Sequence, residues 1–144
     1  DHSIYSTLAT DINGYDVTIG DQTISVTRTA TGEKNSAGKE TNKWTVNGKE
    51  VPDDKEEDFL SPYSKAYLLE FSSFAKKDVK PASNKPVLKI VYHEANRDVT
   101  VTYRPYDGTN FYRVDKNGMD YFLVDKLSVD DIIKKFKGIE KLAK

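Results

Sequence analysis

The chain has 144 residues and no cysteine, which removes disulfides, thiolate metal sites and cysteine nucleophiles together. It has no excess of either charge. Its 22 Lys and Arg stand against 23 Asp and Glu, a formal net charge of -1. A nucleic-acid partner would need a basic face to displace counterions from phosphates, so nucleic acid is not expected. An acidic solvating tail is excluded by the same balance. No apolar run approaches the roughly 18–20 residues needed to cross a bilayer, so any membrane attachment must come through an anchor outside this chain. Glycine-rich phosphate loops, dinucleotide fingerprints and H-E-x-x-H motifs are missing as well, and no cofactor is expected. The chain opens on Asp1 and not on methionine, as a processed or excised segment would, so a leader or anchor upstream is compatible with it.

What is present suits a folded domain. The hydrophobic fraction is 37%, with nine Tyr and six Phe to supply a core. The length fits one α+β domain over 1–144, with halves at 1–80 and 81–144 as the natural subdivision. Ile4, Leu8 and Ile12 recur at the spacing of a short helix. From Tyr15 the period becomes two: Val17, Ile19, Ile24 and Val26 alternate with polar residues, as in half-buried strands. Residues 31–42 hold two glycines and no large apolar side chain, which reads as a long exposed loop. Lys43-Trp44-Thr45-Val46 resumes a strand, and Asn47-Gly48 turns it.

Asp53, Asp54, Glu56, Glu57 and Asp58 cluster before a helical pattern that includes Phe59, Tyr63, Ala66, Tyr67 and Phe74. They are read as first-turn carboxylates opposing the helix dipole, not as a metal site. Pro62 falls inside this pattern and either belongs to the first turn or breaks the segment. A connector follows to Pro86. Then come two strands at residues 87–92 and 98–103, and Phe111-Tyr112-Arg113-Val114 with Tyr121-Phe122-Leu123-Val124 around an Asn117-Gly118 hairpin turn. Ser128 is the expected N-cap of a last helix, answered by Asp131. That helix carries Val129, Ile132, Ile133, Phe136, Ile139 and Leu142 on one stripe. The pattern predicts an antiparallel sheet built from two β-meander regions, with helices packed on one face.

The chemistry-bearing residues are few. Ser73-Phe74-Ala75-Lys76 and Ser36-Ala37-Gly38-Lys39 match S-x-x-K, but the S-D-N and K-T-G elements that accompany it in β-lactamase-like enzymes are missing. His2 and His93 are the only histidines. One sits at a chain terminus and the other at a strand end beside Glu94, so solvated or lightly paired roles are expected for both. Asp115 to Asp120 has its glycine one place too early for a calcium loop and lacks the bidentate glutamate. No catalytic residue and no metal ligand is therefore assigned. The tyrosines remain. Neighbouring strand positions point to opposite faces, so some of the hairpin rings must turn away from the helix-covered side. Tyr106, Tyr112 and Tyr121 are the candidate exposed binding aromatics.

Two segments carry a resemblance. Trp44-Thr45-Val46-Asn47-Gly48 follows the strand Thr23-Ile24-Ser25-Val26-Thr27-Arg28 and precedes a helix. The second is the Phe111–Val124 hairpin before the terminal helix. This order resembles the bacterial family labelled domain of unknown function 4340, over about residues 15–142. The chain has Tyr103-Arg104-Pro105-Tyr106 where the family has an iG-type element. The resemblance implies an extracytoplasmic domain tethered to the bacterial cytoplasmic membrane, in a family often duplicated and with no assigned catalytic residues. The expected function is non-catalytic binding or scaffolding against another envelope protein or a polysaccharide. The alternative is a hydrolase whose carboxylates, such as Asp98, Asp107 or Asp120, converge only in the fold.

Overall fold

A computed structural model describes residues 4–70, 73–74, 85–118 and 120–144, and the backbone only at 73, 74, 120 and 121. Strands β1 (Gly14–Ile19), β2 (Gln22–Lys34), β3 (Glu40–Val46) and β4 (Lys49–Glu50) lead into helix α1 (Glu56–Leu68). A two-residue strand β5 (Ser73–Phe74) follows. Then β6 (Leu88–His93), β7 (Asp98–Pro105), β8 (Phe111–Lys116) and β9 (Asp120–Asp125) lead into α2 (Lys126–Lys137). Among the described residues the strands form one sheet in the order β4-β3-β2-β1-β6-β7-β8-β9-β5, and every pairing is antiparallel. The chain is thus α+β with an antiparallel sheet.

Read outward from the central β1–β6 pair, the order is the same in both directions as far as β4 and β9. The registers repeat too. Asp16 pairs with Ser25 of β2, and Val91 pairs with Thr100 of β7. Asp16 and Val91 are themselves partners across β1–β6, so a local two-fold runs through that pair. Each run ends at an Asn-Gly turn. Asn47 N–H donates to Ser25 O and Asn117 N–H to Thr100 O, both at 2.8 Å. Ser25 N–H donates to Asn47 Oδ1 and Thr100 N–H to Asn117 Oδ1, both at 2.9 Å. The asparagines take φ of 50° and 54°, a region that suits Asn-Gly in tight hairpins. The helices repeat as well: Phe59, Pro62, Ala66 and Leu69 are buried in and just after α1, and Val129, Ile132, Phe136 and Ile139, at the same spacing, in and after α2. This repetition is not evident in the sequence, where few identities beyond Asn-Gly connect the runs.

The inward residues of the strands and the buried stripes of both helices join one apolar cluster. Tyr15, Val17, Ile24, Val26, Trp44, Ile90, Tyr92, Val99, Val101, Tyr103 and Val114 are all buried, as period-two patterning requires. Gly14 has no room for a side chain, since a Cβ there would lie 2.2 Å from Val26 O. Trp44 of β3 meets Phe59 of α1 with ring centroids 5.5 Å apart, and its indole N–H donates to Glu56 at 3.3 Å.

Several local expectations change. Residues 31–40 are exposed and 41–42 half-buried, but most of this stretch is strand: β2 and β3 continue outward past a bulge to a turn held by Asn35. The residues before β1 form one 3-10 turn, Ala9–Asp11, and not a helix. Helix α1 starts at Glu56 after a 3-10 turn and runs through Pro62; the carbonyl of Asp58, which loses its N–H partner there, belongs to a solvent-exposed residue. It ends at Leu68, so Phe74 is in β5 beside β9. Helix α2 begins earlier than Ser128. Asp125 is the N-cap, accepting from Ser128 N–H and Ser128 Oγ–H, both at 2.9 Å, while Asp131 pairs with Lys65 and Lys135. A carboxylate at Asp125 satisfies an orphan helix donor better than the serine hydroxyl. The Ala75–Asn84 part of the connector lies outside the described residues.

Candidate functional site

Three places hold the residues that bear on function. The first is the aromatic surface expected around the last hairpin. Tyr112 is buried, at 7% exposure, so it is not an exposed binding aromatic. It pairs with Pro105 and Val124 on the inward side, and its hydroxyl donates to Asp130 of α2 at 2.5 Å. Burial and then the Asp130 carboxylate push its pKa up. Burial works to raise Asp130, but hydrogen bonds from Lys126 and Tyr112 outweigh it and hold that carboxyl low. Tyr106 is half-buried, following β7. The side chain of Tyr121 lies outside the described residues, although its backbone pairs with Asp115. The outward ring of this hairpin is Phe111, itself half-buried. In the Phe111/Tyr112 pair the ring turned inward is Tyr112.

The second place is a groove between the end of α1 and the start of α2, with a volume of about 430 Å³. Lys65 and Leu68 of α1 with Leu69 and Glu70 just after it line one wall, and Ser128, Asp131 and Ile132 of α2 with its N-cap Asp125 line the other. Leu68 is 64% exposed, and Leu127, beside Ser128, is 76% exposed. Asp131 receives Lys65 at 3.3 Å and Lys135 at 3.1 Å, and those two ammonium groups hold its carboxyl below the ordinary range. That is the opposite of what a general acid needs at neutral pH. The groove combines an apolar floor with paired charges at its rim. It was not legible from the sequence, because its walls come from two helices far apart in the chain.

The third is on the other side of the strands. His93 Nδ1 lies 2.8 Å from Asp98 Oδ1 and its Nε2 lies 2.9 Å from Asp16 Oδ2. Its sequence neighbour Glu94 is not one of these partners. Glu94 instead takes the Tyr5 hydroxyl at 2.8 Å and Arg97 at 3.0 Å. The pKa of His93 is raised: its bond to Asp98 is the largest influence, burial opposes it, and Asp16 adds to the rise. Hairpin register could have found the Asp98 contact, since these residues face each other across β6–β7.

Of the carboxylates named for the hydrolase alternative, Asp98 and Asp107 lie far apart. Asp98 begins the eight-residue strand β7 and Asp107 follows its end, a separation of about 25 Å along the strand. Asp107 Oδ1 accepts the backbone N–H groups of Thr109, Asn110 and Phe111, and these bonds lower its pKa. The side chain of Asp120, like His2, is outside the described residues. No group of three or more His, Cys, Asp or Glu placed to hold a metal ion occurs among the described residues, and none of their helices is long and apolar enough to cross a membrane. Comparison with protein-family models, curated proteins and solved structures gave no match to this chain.

Proposed function

We propose that this chain is a non-catalytic extracytoplasmic binding or scaffolding domain of a membrane-anchored bacterial protein, and that it contacts a protein partner through the α1–α2 groove. The observation that carries the reading is a concave site floored by Leu69 and Ile132 and lined by the exposed Leu68, with the exposed Leu127 next to its wall residue Ser128 and with Lys65 and Lys135 paired to Asp131. An apolar centre with a polar rim is the composition of a protein-binding surface. The extracytoplasmic setting rests on the resemblance to the domain of unknown function 4340 family. In architecture we read β1–β4 and β6–β9 as two meanders with both helices on one face. Support comes from α1 and α2 side chains that meet the same strand residue: Tyr63 and Phe136 both pack on Tyr15.

The test is a Leu68→Glu/Leu127→Glu variant. Its thermal unfolding should match the parent, because both side chains face solvent. Used side by side as baits on bacterial envelope extracts, parent and variant should differ in one protein. Binding of that protein, once purified, should be lost or weakened at least tenfold by the variant. Equal binding by both chains would remove the groove from consideration. A reporter active only outside the cytoplasm, fused to the full-length gene product, tests the location separately.

A further inference from the structure

We propose that His93, held between Asp16 and Asp98, is a proton-dependent clasp across the seam where the two four-strand runs meet. The three residues come from β6, β1 and β7, so the cluster spans the central β1–β6 pairing as well as the β6–β7 hairpin. The seam's backbone bonds continue beside it, with Asn13 N–H donating to His93 O at 2.8 Å. Only the doubly protonated ring can donate to both carboxylates. A neutral imidazole presents one bare lone pair to a carboxylate oxygen less than 3 Å away, which is repulsive.

The local two-fold supplies an internal control. It relates His93 to Thr18, Asp98 to Thr23 and Asp16 to Val91. At that sister position Thr18 and Thr23 share a neutral hydrogen bond of 3.1 Å beside Val91. The backbone plan is therefore satisfied by an uncharged pair, and folding alone does not demand the ionic triple. The other groups around His93 do not mask it. On β6 the next outward residues are Val91 and then Lys89, β1 offers Gly14 and Thr18, and Thr27 of β2 is neutral. Glu94 is engaged by Tyr5 and Arg97. The sign follows from the raised pKa. Stability from the clasp is complete below the ordinary histidine value and is lost as pH rises through the higher folded-state value. Partial exposure of the ring, 34%, moderates the effect through solvent screening.

The experiment compares the full chain with Asp16→Val/His93→Thr/Asp98→Thr, which copies the sister position, and with His93→Gln. Denaturant unfolding is measured from pH 5 to 9, and the His93 ring is titrated by NMR. The parent's unfolding equilibrium constant should rise with pH by about tenfold for each unit separating its folded and unfolded histidine pKa values. Both variants should be flat across that window once the common background is subtracted. Parallel curves for parent and variants overturn the proposal, as does a ring that titrates at or below about 6.5. If the triple variant does not fold, His93→Gln and the ring titration decide the question.

Discussion

The two runs of four strands and a helix share a backbone plan but place their large side chains at different positions. Trp44 of the first stands where the second has Val114, and α1 has Phe59 where α2 has Val129. Further along the helices the sizes reverse, with Ala66 in α1 and Phe136 at the equivalent position of α2. The surplus on each side crosses the two-fold. Phe136 of α2 meets Tyr15 of β1 at 5.9 Å, and Tyr63 of α1 meets Tyr92 of β6 at 5.7 Å. Close-packed interiors tolerate such compensation only when both contributions are present together. We infer one cooperative unit and not two independent halves at 1–80 and 81–144; fragments made separately should show no cooperative unfolding until mixed.

The comparison breaks most violently at Phe136. Phe136→Asp places an unpaired carboxylate in the shared core and should exceed about 4 kcal/mol, abolishing the cooperative thermal transition. Lys135→Asp, one residue away, removes only a partly exposed ion pair with Asp131 and should leave the melting temperature within a few degrees. A folded Phe136→Asp chain with an unshifted transition would show that α2 is not a structural partner of β1. Next in size is the sheet anchor. Trp44→Ala should cost about 3–5 kcal/mol by denaturant unfolding, and Val114→Ala roughly 2 kcal/mol at the equivalent site. Equal losses would mean that the two equivalent sites do not differ in the volume they bury.

The Asn-Gly turns test sameness instead of difference. Asn47→Ala and Asn117→Ala each force alanine into a positive-φ position and delete one cross-strand hydrogen bond. Each should cost about 1–2 kcal/mol, and the two values should agree. These turns were also the most legible part of the sequence, because the dipeptide itself dictates the backbone. Period-two alternation likewise located the strands and their inward residues correctly. What failed depended on partners distant in the chain. Tyr112 was taken for a surface ring because Asp130, which receives its hydroxyl, belongs to the next helix. His93 looked idle because one of its two carboxylates, Asp16, lies on a strand near the other end of the chain. The outer arms of β2 and β3 looked like loop because their polar residues carry no apolar alternation to announce the ladder, which backbone pairing and the hydroxyls of Thr31 and Thr41 hold together. The groove had no signal, since neither helix shows it alone.

The smallest effect expected has the opposite sign. Tyr15 is fully buried, and its hydroxyl is the one buried side-chain polar atom without a hydrogen-bond partner among the described residues. Its two-fold equivalent is Ile90, which brings no polar atom to the same depth. An unpaired buried hydroxyl forfeits its hydration and gains nothing in return. Tyr15→Phe should therefore hold or raise stability, by up to about 1 kcal/mol, since the ring contacts with Tyr63 and Phe136 survive. Tyr63→Phe is the matched control. That hydroxyl donates to Thr7 O at 2.7 Å, and its removal should cost about 1 kcal/mol because the carbonyl loses its donor. Denaturation midpoints moving in opposite directions would confirm that the two tyrosines, 5.3 Å apart between ring centroids, occupy different electrostatic surroundings. A loss at both would mean that the Tyr15 hydroxyl has a partner after all, and that the first half of the core is better satisfied than its geometry suggests.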